Sequence, residues 1–173
     1  DGLPFEYRLL KSGVRFKGEA LGAALKVRLC RREPWGFAQV STKPKSSNIS
    51  KHGADFDFTA MYASNTAAVD FTLRYTIENR CVRVTLEKVR ERDGFELISL
   101  SMPSLVSVGE SDADAWLAHG DSGGDVVALR EAKTGQLGLN SFWGEINGIL
   151  PVIMAGHSGA ICVQETTAFM DGT

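Results

Sequence analysis

The residues most able to do chemistry lie in Gly120-Asp121-Ser122-Gly123-Gly124, where a serine hydroxyl stands in a glycine-rich turn. A serine presented this way attacks a carbonyl when a histidine, held by an aspartate, removes its proton and adjacent N–H groups hold the oxyanion. The chain order His, Asp, Ser leaves His52 with Asp70 or Asp93 as the upstream partners. His119 comes one residue before the turn, and His157 lies in Ala155-Gly156-His157-Ser158-Gly159, a second turn between apolar runs. Both histidines fall at strand ends, where loop surfaces carry function, so His157 and Asp121 are candidate ligand contacts.

The pentapeptide resembles, letter for letter, the segment around the nucleophile of chymotrypsin-like serine proteases. Two departures weaken that match. His52 sits in Ser50-Lys51-His52-Gly53 without the Ala-Ala-His-Cys setting, and Asp125 follows where that family carries proline. Asp-Ser-Gly-Gly is also ordinary turn chemistry between two strands.

Aromatic residues offer a different chemistry. Trp35 and Trp143 each stand near glycine, and an exposed indole face is what the apolar side of a sugar ring packs against. Phe142-Trp143-Gly144-Glu145-Ile146-Asn147 adds a carboxylate and an amide for the hydroxyls. Trp143, Glu145 and Trp35 therefore join His157 and Asp121 as candidate carbohydrate contacts, whereas Trp116 in Ala115-Trp116-Leu117 reads as core. No residue is assigned as catalytic.

The elements that must position these groups are strands. Val69, Phe71, Leu73, Tyr75 and Ile77 alternate with polar residues, and after Glu78-Asn79-Arg80 the alternation resumes at Val82, Val84 and Leu86. This predicts an antiparallel hairpin with one buried face. Further strands are expected at 7–10, 14–17, 25–30, 37–41, 55–61, 95–101, 115–118, 126–129, 150–155 and 160–164. The best helical window, 19–29, is broken by Gly18 and Gly22 and reverts to alternation at Leu25. Residues 42–53 are polar and lysine-rich and read as a mobile surface loop, with the sequon Asn48-Ile49-Ser50 inside it. The acidic segment 109–115 reads as a short loop. Many short strands punctuated by 18 glycines predict an all-β fold, an antiparallel two-sheet sandwich or barrel.

Length and composition narrow the field. With 173 residues, 43% hydrophobic and 23% charged, the chain suits one domain with a single core rather than a disordered tail. A net charge of −2 and a pI near 5.9 provide no basic field, so nucleic acid is not an expected partner. No apolar run is long enough for a membrane span. Cys30, Cys81 and Cys162 are widely spaced, flanked by apolar residues, and read as buried free thiols; no thiolate metal site and no cofactor is indicated. The chain opens without Met and closes after an apolar run, which reads as a fragment of a longer protein whose export signal, if any, would lie upstream.

The second half carries a resemblance. Gly94-Phe95-Glu96-Leu97-Ile98-Ser99-Leu100-Ser101-Met102-Pro103-Ser104-Leu105-Val106, Ala115-Trp116-Leu117-Ala118-His119-Gly120, Gly123-Gly124-Asp125-Val126-Val127, Leu150-Pro151-Val152 and Ala168-Phe169-Met170-Asp171-Gly172 carry it. Together they resemble the galactose-mutarotase-like β-supersandwich that precedes the catalytic barrel of large glycoside hydrolases, in particular those related to endo-α-N-acetylgalactosaminidases and α-N-acetylgalactosaminidases. The resemblance implies a scaffold of two large antiparallel sheets packed on a following (β/α)8 barrel of the same chain. It places the catalytic carboxylates on that barrel, beyond Thr173, and leaves Glu145, Asp121 and Asp125 as sugar contacts only. The expectation is a non-catalytic accessory domain of a glycan-processing enzyme, with a free-standing carbohydrate-binding module and the serine protease as rivals.

Overall fold

The computed structural model describes residues 2–4, 6–18, 24–63, 65–78, 81–101, 108, 112–120, 125–130 and 150–165. Among them every regular element is a strand, and every pairing is antiparallel. The thirteen strands are β1 Glu6–Arg8, β2 Arg15–Lys17, β3 Leu25–Arg31, β4 Gly36–Thr42, β5 Pro44–Ser50, β6 Gly53–Tyr62, β7 Thr66–Glu78, β8 Cys81–Glu91, β9 Phe95–Ser101, β10 Trp116–Gly120, β11 Asp125–Ala128, β12 Leu150–His157 and β13 Ala160–Glu165. No helix among the described residues is long and apolar enough to cross a membrane.

The chain divides into two compact units, Asp1–Pro4 with Glu19–Pro103 and Phe5–Gly18 with Ser104–Thr173. The first holds a three-stranded sheet, β4-β3-β9, and a four-stranded sheet, β5-β6-β7-β8. Period-two alternation builds both. Leu25, Val27 and Leu29 of β3 point into one cluster with Phe58 and Ala60 of β6 and Val69, Phe71, Leu73 and Tyr75 of β7. Phe58 and Phe71, opposite each other in register, stack at 5.0 Å. The two sheets thus share one apolar layer, as in a β-sandwich. The Tyr75 hydroxyl donates to the Gly2 carbonyl at 2.7 Å and ties the first residues to this core.

In the second unit the β1-β2 hairpin and the sheet β11-β10-β12-β13 bury Phe16 with Ala155 and Ala160, flanked by Tyr7, Val14, Leu117 and Cys162. Burial pushes the Tyr7 phenol up to about 12, with the neighbouring Cys162 adding to it.

The expected hairpin over 69–86 is present, with Ile77 opposite Val82 and Leu73 opposite Leu86. Two expectations change. Residues 44–50 are not a loop but an edge strand, β5, paired with β6 from Ser50↔Gly53 to Pro44↔Phe58. Its polar composition hid it, since an edge strand exposed on both sides needs no apolar face. Cys81 is exposed rather than buried, because it opens the edge strand β8, while Cys30 is buried and Cys162 half-buried. The strand expected from Leu25 is present as β3, and residues 19–23 of the helical window lie outside the described residues.

Candidate functional site

Of the five candidate ligand residues, the structure describes two. Trp143, Glu145 and Asp121 lie outside the described residues, as does Ser122. Trp35 and His157 belong to different units.

Trp35 stands in the turn between β3 and β4, and 71% of it is open to solvent. Its surroundings follow from strand parity. Along β4, Ala38, Val40 and Thr42 turn inward, which sends Phe37 and Gln39 to the outer surface. Phe37 meets the Trp35 ring edge-on at 4.7 Å and 75°. Arg28 of β3, paired with Gln39, reaches diagonally to place its guanidinium 4.8 Å from the Phe37 centroid. The result is an aromatic ledge backed by a cation.

The turn under this ledge is fastened on both sides. Arg31 Nε donates to the Pro34 carbonyl at 3.1 Å, and the Arg31 guanidinium lies 5.0 Å from the Tyr62 centroid. Tyr62 in turn packs on Phe95 at 5.3 Å. Arg32 pairs with Glu96, and its N–H donates to the Gly94 carbonyl at 2.9 Å. An exposed indole held this way presents a flat apolar face without first having to be ordered, which favours binding of a planar or ring-shaped apolar surface. Sequence reasoning found Trp35 through its turn setting. It missed Phe37 and Arg28, because their proximity depends on the β3-β4 register.

His157 is buried. Its Nε2 stands 2.8 Å from the Arg15 carbonyl oxygen, which can only accept, so Nε2 carries the proton. Nδ1 then faces the Ser158 hydroxyl at 3.3 Å, and the ring packs edge-on to Phe16 at 4.7 Å. Nε2 thus ties the end of β12 to β2 while Nδ1 faces its own neighbour in the turn, which is a structural use of the side chain.

The outer face of the four-stranded sheet gathers carboxylates. Asp55 pairs with Arg74 at 2.8 Å, and Arg74 also pairs with Glu87 at 2.8 Å. Asp57 accepts from Thr72 and Ser46, each at 2.7 Å. Asp70 accepts from Thr59 at 2.5 Å and Arg92 at 2.8 Å, with Lys45 at 3.4 Å. These partners hold all three aspartates below the usual carboxylate range: Asp55 through its hydrogen bond from Arg74, Asp57 through its two hydroxyl donors, and Asp70 chiefly through Thr59. A glycosidase acid needs a pKa displaced upward, so this row is suited to stabilising the sheet and not to donating protons.

His52 lies in the exposed turn before β6, with its carbonyl accepting from the Ile77 N–H at 2.9 Å. The Asp70 carboxylate is taken up by Thr59, Lys45 and Arg92, so the His52–Asp70 pairing that the protease alternative would use gains nothing from the geometry. Among the described residues, no group of three His, Cys, Asp or Glu side chains could hold a metal.

Fold and surface together define an all-β protein of antiparallel sheets with an aromatic ledge on its first unit. No family model, curated protein or solved structure matches the chain.

Proposed function

We propose that this chain is a non-catalytic, galactose-mutarotase-like sandwich module accompanying a glycoside hydrolase barrel, and that it meets glycan through Trp35. The observation that carries the reading is the Trp35 indole, exposed yet fixed by Phe37, the Arg31 bond to Pro34 and the Arg32–Glu96 pair. A pyranose stacks its apolar face on such a ring, and Arg28 supplies donors at the ledge for its hydroxyls. The link to a hydrolase rests on the resemblance of residues 94–172. The downward-held aspartates fit a module that leaves proton transfer to another domain.

The test is calorimetric titration of the 173-residue chain with a panel of α- and β-linked oligosaccharides of hexoses and N-acetylhexosamines. At least one is expected to bind, and Trp35→Ala is expected to weaken it by roughly tenfold or more with an unchanged circular dichroism spectrum. No binding across the panel refutes glycan contact. Binding that Trp35→Ala leaves intact refutes the ledge as its site.

A further inference from the structure

The four-stranded sheet of the first unit ends in two edges of opposite character. The β5 edge starts at Pro44, is irregular between Pro44 and Ser46, and carries Lys43, Lys45 and Lys51 in or beside it. Proline, lysine and irregular pairing all discourage a further strand. Along β8 none of these occurs over residues 81–87, and the irregularity comes only afterwards, where Lys88 has φ 52° and the pairing with β7 shifts between Asp70 and Thr72.

Among the described residues no strand pairs with the outer side of β8, and the direction of its backbone groups follows from one hydrogen bond. Ile77 N–H donates toward the β6 side, to the His52 carbonyl. Backbone groups alternate sides along a strand, so Thr76, Arg74 and Thr72 turn toward β8, where they meet Arg83, Thr85 and Glu87 in register. The N–H and C=O groups of Val82, Val84 and Leu86 therefore line the outer edge. Side chains on the same stretch are under-covered: Val82 is 38% exposed, Leu86 40%, and Ile77, opposite Val82, 55%.

We propose that β8 pairs antiparallel with β8 of a second copy of this chain, about a two-fold axis at Thr85. This register sets Val84 against the partner's Leu86, which supply each other's open backbone groups and continue the apolar face. It also sets Arg83 against the partner's Glu87 on the polar face, twice by symmetry. Arg83 forms no ion pair among the described residues, and Glu87, already bound to Arg74, becomes the centre of an Arg–Glu–Arg row. A two-fold axis at Val84 would instead oppose Arg83 to the partner's Thr85 and lose both charge pairs. Charge complementarity thus selects the register, and the contrast with the lysine-guarded β5 selects the edge. The paired molecules would share one eight-stranded sheet.

Sedimentation velocity on the whole chain reads the outcome. The wild type is expected to dimerise, and Arg83→Glu and Glu87→Arg are each expected to weaken dimerisation by roughly tenfold or more, since each opposes like charges twice. An equimolar mixture of the two variants is expected to recover wild-type dimerisation, because in the mixed dimer both carboxylates of one variant face the two guanidinium groups of the other. That recovery would also show that both variants are folded. A wild type monomeric up to about 1 mM overturns the proposal. So do single variants that dimerise as tightly as wild type, or a mixture that fails to recover while both retain the wild-type circular dichroism spectrum.

Discussion

Asp57 sits between two hydroxyls, Ser46 on β5 and Thr72 on β7, each donating at 2.7 Å. Those donors favour the charged form, so the folded carboxyl lies below its ordinary 3.8, and Asp55 and Asp70 are lowered in the same direction. A carboxyl with a depressed folded pKa contributes stability that is fully present above 3.8 and lost as pH falls through the folded value. The urea midpoint is therefore expected to hold steady above about pH 5 and to drop below about pH 4. Thr72→Val keeps the shape of the side chain and removes one donor. It is expected to cost about 1 kcal/mol near neutral pH, less than a fully buried charged hydrogen bond because the Asp57 carboxylate stays partly exposed although Thr72 is buried. The two denaturation curves should draw together as pH falls through the titration of the folded carboxyl, because the protonated group no longer depends on that donor. A gap that stays constant from neutral pH down into acid would show that Thr72 acts through packing alone.

At the level of elements, close backbone approach decides which strands tolerate change. Gly156 of β12 lies opposite Trp116 of β10, and a Cβ there would stand inside the indole. Gly156→Ala is expected to destabilise the protein by about 1–3 kcal/mol, the range for overpacking, and Trp116→Leu in the same chain should recover part of that loss. Equal destabilisation with and without the second change would refute the contact. This pair also marks how far the amino-acid pattern reads. β7 and β8 were legible because Val69 to Ile77 and Val82 to Leu86 alternate, whereas Trp116, read as core, is half-buried and packs over Gly156. β5 was not, because Ser46, Ser47, Asn48 and Ser50 gain strand geometry only from pairing with β6. The ledge was half legible: Trp35 announces itself beside Pro34 and Gly36, whereas Arg28 reaches Phe37 only through a cross-strand diagonal.

Over the whole molecule, the two units are assembled differently from one chain. The first is nearly continuous, Glu19–Pro103 with the initial four residues, and its four-stranded sheet joins neighbours in sequence. The second joins Phe5–Gly18 to Ser104–Thr173, so its core forms only when distant segments meet, a contact of high loop-closure cost. Among the described residues Phe16 is the largest side chain fully buried in that core, packed with Ala155 and Ala160 and against the His157 ring, while His157 donates to the carbonyl next door at Arg15. Alanines cannot close over the space a phenylalanine leaves, so Phe16→Ala is expected to cost about 3–5 kcal/mol. Because each unit has its own buried cluster, that loss should appear locally. Amide hydrogen exchange should quicken in β10, β12 and β13, while β6 and β7 keep wild-type protection. Equal acceleration in β6 and β7 would mean that the chain opens as one cooperative body and that the first unit draws its stability from the second.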